Sequence, residues 1–438
     1  MPHKNKIILF LSVLTIVVLY LFIACHGSKP VVKPNIVLIV VDALRPDHLS
    51  FYGYEKNSVP FMAELAAKGV VFQHAYSTSS WTAPATSSIL TSLYPFQHGV
   101  TMGLAAHKQL IEKDSTIQIT RLPEIITTLP EMLKEAGYQT YAITANPNIS
   151  EVMGLGQGFD SLLIPRATSA KGIYRNCLGI SKTLNKNKPY FLYLHFMDTH
   201  SPYRIKLPEN LRTGDNRKDR ITIYDIELKF IDTTIKKIFQ EFGWDKNTLI
   251  IITADHGEEH FDHGKTGHGY SLYHEVLKVP LMLYYPGVFP AGKRIKQNVS
   301  TIDLFPTIAH LISVSPPEYI AGINLLPLIN QKSERLLKRC LFAHLKLIQN
   351  DLTSRTIVSV ICDDYHYIQY PKQKMLFDLA LDPKETRNII KEKRFVAKKL
   401  ASAYFTYFQK CKKFSIEKTS TVLNQKQIEE LKSLGYIK

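Results

Sequence analysis

The sequence predicts an α/β fold, a mostly parallel sheet flanked by helices, with a smaller α+β subdomain at its C-terminal end. Three observations carry this. Runs such as NIVLIVV (Asn35–Val41), PYFLYLHFM (Pro189–Met197) and TLIIITA (Thr248–Ala254) stay apolar without alternation, as strands covered on both faces do. Segments of helical period, with their own start and stop residues, lie between them. Beyond Pro316 the chain changes to strand-like stretches followed by a basic helical one.

Taken in order, MPHKNK is a short basic flank, and Ile7 to Ala24 is apolar apart from Ser12 and Thr15. This is the layout of an export signal over residues 1–25. Its end, LFIAC, resembles a lipoprotein signal with Cys25 as the acylated residue, although Phe22 stands where a smaller aliphatic residue is usual. The alternative is an uncleaved transmembrane anchor, which needs roughly 20 apolar residues. Either arrangement exports the body of the protein and tethers it to a membrane, on the periplasmic or cell-surface side. Residues 26–34 are a linker.

The α/β domain is expected over residues 35–316. After the first strand, SVPFMAELAAKG reads as a helix capped by Ser58, with Pro60 in its first turn and Gly69 as its stop. LPEMLKEAGYQTYAITAN is a helix closed by Gly137, then a strand through Ala145. IYDIELKFIDTTIKKIFQEFG is a long amphipathic helix. Within residues 317–438, SVICDDYHYIQY and QKMLFDLALDP read as antiparallel strands ahead of the helical tail.

The 438 residues are 45% hydrophobic and 21% charged, the proportions of a globular protein, and carry a formal charge of +16. That charge favours anionic surroundings. Its densest run, KEKRFVAKK, is read as a solvated helix face, and no zinc finger or RNA-binding aromatic pattern accompanies it, which argues against nucleic acid. Cys177, Cys340, Cys362 and Cys411 are too far apart for metal-ligand spacing, and their pairing is left open.

Three buried strands end in aspartate: Asp42, Asp198 and Asp255. One such residue is ordinarily a cap or turn. Three at the carboxyl edge of a sheet, where ligands of open α/β folds bind, would repel one another unless a cation lay between them. His256 follows Asp255, and His200 lies close to Asp198. Carboxylate oxygens with imidazole favour zinc or manganese, with calcium or magnesium as alternatives, and no thiolate is at hand. In DHGEEHFDHGKTGHGYSLY the glycines allow turns that return His268 over the strand end, as a ligand or an acid; His260 and His263 are read as surface residues. In SSWTAPATSSILTSLYP, a helix starting near Ala83 would offer free N–H groups to an anion. Thr82 is then either a helix N-cap or a nucleophile, and the aspartates favour the nucleophile, since a hydroxyl needs a base or a metal to ionise it.

From about Asn35 to its end the chain resembles the sulfatase family of the alkaline phosphatase superfamily. PNIVLIVVDALRPDHLSFYGY resembles that family's opening strand and metal aspartate, and ILTSLYPFQHGV the segment after its nucleophile. LHFMDTHSPY, TADHGEEHFDHG, GHGYSLYHEVLKVPLMLYYPG, TIDLFPTIAHL, LFDLALDPKETRNI and LKSLGYI complete the likeness. The resemblance implies that Asp42, Asp255, His256 and Thr82 hold one metal. It also implies that Asp198 and His268, with His200, form a second metal site or touch the substrate, so one or two divalent ions are expected. One departure matters. Formylglycine sulfatases carry Cys or Ser, any residue, Pro, Ser and Arg, whereas this chain has Thr82-Ala83-Pro84-Ala85-Thr86. Nothing at position 82 can be oxidised to the aldehyde, so no formylglycine is expected. Threonine there resembles the phosphodiesterases and phosphoethanolamine or phosphoglycerol transferases of the superfamily.

The first expectation is therefore a metal-dependent hydrolase or transferase of phosphate esters or diesters, with catalytic Thr82, His200 and His268. The second is a sulfate ester hydrolase using unmodified Thr82. The third is an anion-binding surface lipoprotein without turnover, for which the altered Ala85, Thr86 and Ser92 speak. A lipid head group or an acidic glycan would suit the charge as substrate.

Overall fold

The computed structural model describes residues 33–104, 118–165, 169–244, 247–330, 338–348, 354–412 and 419–433. The export or anchor segment, Cys25 and most of the linker lie outside them. Among the described residues, no helix is long and apolar enough to cross a membrane.

The strands in chain order are β1 (Asn35–Val41), β2 (Val70–Tyr76), β3 (Gln118–Arg121), β4 (Gln139–Thr144), β5 (Ser161–Leu163), β6 (Tyr190–Phe196), β7 (Thr248–Thr253), β8 (Glu259–His260) and β9 (Thr266–Gly267). They continue with β10 (Lys278–Tyr284), β11 (Lys293–Ser300), β12 (Cys340–Ile348), β13 (Ser354–Cys362), β14 (Tyr365–Gln369), β15 (Lys374–Asp378) and β16 (Thr419–Val422). The main sheet runs β11-β2-β10-β7-β1-β6-β4-β5. Neighbours are parallel except that β10 is antiparallel to both β2 and β7. The expected α/β sheet is present, with its central strands buried on both faces.

Register positions the site. Val40 of β1 lies opposite both His195 of β6 and Thr253 of β7, and Thr144 of β4 lies opposite His195. The carboxyl ends of β1, β4, β6 and β7 therefore open on one edge. Two antiparallel steps through β10 give β2 the same direction, so it delivers residue 77 and the chain beyond to that edge as well.

Helices α1 (Pro60–Lys68), α2 (Thr82–Thr91), α3 (Leu129–Glu135), α4 (Ala170–Thr183), α5 (Asn216–Phe242), α6 (Leu304–Leu311) and α7 (Arg394–Lys412) flank the sheets. Ser58 does not cap α1. The N-cap is Val59, whose side chain cannot accept, and the first-turn N–H groups of Phe61 and Met62 donate instead to the buried Asp232 of α5, at 3.0 and 2.8 Å. The sequence signal failed because the acceptor comes from a distant helix. α5 itself starts at Asn216, ahead of Ile223, because Asp215 accepts from the Arg217 and Lys218 N–H groups and Gly243 closes the far end in the left-handed region.

The C-terminal sheet, β12-β13-β14-β15, is antiparallel. Its period of two is regular: Leu341, Ala343 and Leu345 pack with Tyr76, Leu272, Val276 and Leu277, while Phe342, Val360 and Tyr367 pack with Tyr94 and with Leu400 of α7. β13 to β15 follow the expected strands, and β12 is an addition to them. Cys340 and Cys362, directly opposite in the β12–β13 register, form a disulfide. β16 pairs with β3.

Replacing Asp232 by Ala leaves two first-turn donors of α1 unsatisfied in a buried place. We expect about 2 kcal/mol of lost stability, measurable by chemical denaturation.

Candidate active site

Asp42 follows β1, Asn146 follows β4, and Asp255 with His256 follows β7; all are buried. Each carboxylate has one oxygen tied down. Asp42 Oδ2 accepts from Asn146 Nδ2 at 2.9 Å, and Asp255 Oδ1 accepts from the His256 N–H at 2.9 Å. The other oxygens, Asp42 Oδ1 and Asp255 Oδ2, have no hydrogen-bond partner among the described residues. They lie 3.7 and 3.5 Å from His256 Nε2. Thr82 Oγ1 joins this group at 3.2 Å from the same nitrogen and 3.5 Å from Asp42 Oδ2.

Thr82 is not an N-cap. It is the first residue of α2, one position earlier than expected, and the cap is Trp81, whose side chain makes no capping bond. The first intrahelical bond runs from the Ala85 N–H to the Trp81 carbonyl at 3.1 Å, so the Thr82 and Ala83 N–H groups precede it. Pro84 carries no N–H and has the fixed φ of a first turn. The hydroxyl is thus presented at the positive end of a buried helix.

His256 Nε2 faces both carboxylates, and its Nδ1 lies 2.9 Å from the Gly257 carbonyl, which orients the ring. Burial opposes charge on this imidazole, but Asp255 and Asp42 outweigh it and raise its pKa. Burial likewise works to raise the Asp255 carboxyl, yet His256 and His195 hold it below the usual range. Two buried carboxylates, each with an oxygen left over, beside an imidazole nitrogen and a hydroxyl suit a divalent cation.

His195 and Asn146 were not anticipated. His195 Nε2 lies 3.6 Å from Asp255 Oδ2, and Asp42, His195 and Asp255 offer ligand atoms all within 4.8 Å of one another. Their signals are visible in retrospect: His195 is the polar residue within the apolar run of β6, and Asn146 stands at a fourth strand tip, just beyond Ala145.

The glycine-rich loop returns as expected. Gly264, Gly267 and Gly269 take positive φ, and a Cβ on Gly269 would strike the Trp81 ring. The His268 ring lies 4.2 Å from that of His256 and 4.8 Å from that of His200. Glu258, fully buried, has Oε1 at 3.5 Å from His268 Nδ1 and 3.7 Å from Arg220. Burial and the neighbouring His256 lower the pKa of His268, against the opposing pull of Glu258.

Asp198 lies at the start of α4, where both its oxygens accept from the Ala170 N–H, at 3.0 and 2.9 Å, and among the described residues it is not grouped with Asp42, His195 and Asp255. A strand-tip carboxylate can answer a helix N-terminus as well as a metal. His260 is not a surface residue but is buried against Tyr224 and His48. His263 is partly buried, stacked on Tyr273 and 2.6 Å from Glu275.

Residues 34–314 match the family model described as Sulfatase. The chain belongs to the sulfatase family. Residues 262–411 also match the C-terminal model of N-sulphoglucosamine sulphohydrolase. Among curated sulfatases, human N-acetylgalactosamine-6-sulfatase is 25% identical over 363 residues, covering 70% of this chain and 68% of the relative. The Delta 4,5-hexuronate-2-O-sulfatase of Bacteroides thetaiotaomicron is 20% identical over 426 residues, 83% of this chain and 86% of the relative. The fold is shared with a 2-O GAG sulfatase (TM-score 0.73, 19% identity, 88% of this chain and 95% of that one). It is also shared with the phosphonate monoester hydrolase of Agrobacterium radiobacter (TM-score 0.68, 18% identity, 89% and 97%).

One pH dependence follows from this loop. Burial opposes charge on His263, but Glu275 and Glu385 push its pKa up to about 9. A group raised on folding stabilises below its unfolded value and loses that contribution as pH rises through the folded one. Thermal unfolding of the parent and of Glu275→Gln should therefore differ most below about pH 6.5 and converge as pH passes 9.

Proposed function

We propose that this sulfatase-family hydrolase acts on phosphate esters or diesters through Thr82 as nucleophile. One observation carries the reading: Thr82 Oγ1 sits beside Asp42 and His256, next to two buried carboxylate oxygens that lack partners. Asp42, Asp255, His256 and Thr82 would hold a divalent cation, with His195 beside them. When bound, that cation supplies the positive charge that eases ionisation of a hydroxyl and steadies negative charge growing on an ester oxygen.

The residues of the chain divide the remaining tasks. Asn146, donating to Asp42 Oδ2 and lying 3.4 Å from Thr82 Oγ1, orients the carboxylate and hydroxyl together. The first turn of α2 directs backbone N–H groups at the anionic centre. Thr82 Oγ1 gives its proton to Asp42 Oδ2, 3.5 Å away, and attacks phosphorus; the P–O bond to the leaving group breaks, that oxygen takes a proton from His200, and the phosphoryl group rests on Thr82. His268, with Nδ1 3.5 Å from Glu258 Oε1, offers an N–H to the transferred group. Water or an acceptor alcohol then attacks phosphorus and gives its proton to His200, the P–O bond to Thr82 breaks, and Thr82 Oγ1 takes its proton back from Asp42 Oδ2. Burial of Thr82, Asp42 and Asp255 keeps bulk water from the nucleophile.

A second reading, sulfate ester hydrolysis with the same unmodified Thr82, is favoured by the names of the sulfatase relatives. An acidic glycan would be its substrate, and a lipid head group or glycan that of the first. We further propose the exported, membrane-tethered location read from the N-terminus. The Cys340–Cys362 disulfide supports it, since such bonds persist in oxidising compartments.

Thr82→Ala should lower kcat on an aryl phosphodiester by about 10³-fold or more, with Thr82→Ser retaining part of it. Chelation should abolish turnover, and added Zn²⁺ or Mn²⁺ should restore it. Full metal-dependent activity in Thr82→Ala sinks the nucleophile, and a faster rate on an aryl sulfate favours the second reading. Metal analysis gives a further test. Asp255→Asn should lose bound metal, whereas Asp198→Asn, altered at a helix terminus, should retain it.

A further inference from the structure

The DPKETRN stretch (Asp382–Asn388) belongs to the family likeness but has no part in the chemistry above. Its side chains have a clear arrangement. Asp382 accepts from the Arg387 N–H at 2.8 Å, and Asn388 Oδ1 accepts from the Leu376 N–H of β15 at 3.0 Å, so the turn is pinned to the C-terminal sheet. Between them Glu385 takes a positive φ of 55° and buries its carboxylate. One oxygen pairs with His366 Nδ1, whose Nε2 lies 2.5 Å from Ser359 Oγ. The other accepts the His274 N–H at 2.8 Å.

Ser359, His366 and Glu385 have the connectivity of a hydrolytic triad, but Ser359 and His366 are wholly buried, so no substrate reaches them. What the group does reach is the turn His274–Leu277. Three successive carbonyls of that turn hold the active site from behind. Glu275 accepts the Glu258 N–H at 3.1 Å, Val276 the Gly257 N–H at 2.9 Å, and Leu277 the Ser77 N–H at 2.8 Å. Ser77 in turn donates its hydroxyl to the Asp255 carbonyl. The fit is close: a Cβ on Gly257 would lie 2.0 Å from the Glu275 carbonyl oxygen.

We propose that Glu385 is a positioning residue for the active site: by capping the His274–Leu277 turn, it sets the 255–258 loop and the chain leading to Thr82. The functional half of this rests on Asp255 and His256 being cation ligands. The structural half does not.

In the full chain, Glu385→Ala should speed amide hydrogen exchange of the metal-free protein about tenfold or more in peptides covering Ser77 and Gly257–Glu258. Exchange in β1 and β6 should not change. Zn²⁺ or Mn²⁺ affinity, measured by calorimetry, should fall about 10- to 100-fold. Glu385→Gln keeps an acceptor for the His274 N–H and should restore most of both. Unchanged exchange at residues 77 and 257–258, or equal acceleration throughout the protein, overturns the proposal. If the unaltered protein binds neither metal while exchange behaves as expected, the ligand assignment fails and the positioning role stands. Should Glu385→Ala not fold, His366→Asn, which loosens the other carboxylate oxygen, should give the same local pattern; its absence is equally decisive against the proposal.

Discussion

Two aspartates emerge from neighbouring parallel strands into a dry space, and each keeps one oxygen without a hydrogen-bond partner among the described residues. Isolated buried carboxylates cost on the order of several kcal/mol each in lost hydration. A sheet that brings two together needs positive charge between them. Much of the surrounding structure answers that need. His256 lies with Nε2 beside both carboxylates, α2 turns its N-terminus inward, and Asn146 holds one carboxylate so that its other oxygen faces the gap.

The placement of β10 connects this site with the rest of the molecule. As the antiparallel strand between β2 and β7, it joins the strand that leads to Thr82 with the strand that ends in Asp255. The turn just before it, His274–Leu277, therefore lies within reach of both. That turn also contributes Val276 and Leu277 to the apolar layer under the C-terminal sheet. The smaller sheet is thus packed against the scaffolding of the site.

Features governed by local rules were legible in the sequence. The strands were readable from unbroken apolar runs, and Gly137 and Gly243 close their helices in the left-handed region that favours glycine. Asp42, Asp255 and His256 could be found because a strand tip is a fixed address in an α/β sheet. What escaped depended on tertiary contacts. Ser58 was read as a cap because the true acceptor, Asp232, lies on a distant helix, and the contact of Asp198 with the start of α4 is likewise made only in the assembled fold. His195 lay within a strand read as purely apolar, and its register against Val40 and Thr144 is a property of the assembled sheet. His260 stands in a polar loop, and its burial follows from the loop folding onto Tyr224.

Thr82 has a consequence for how the protein reaches its finished state. Cysteine or serine at the head of such a helix can await oxidation by a separate enzyme, which ties the yield of mature protein to that enzyme's presence. A threonine side chain cannot yield the aldehyde of that oxidation. On the proposed reading, position 82 therefore asks for no oxidising enzyme, and its hydroxyl is ready once the chain has folded.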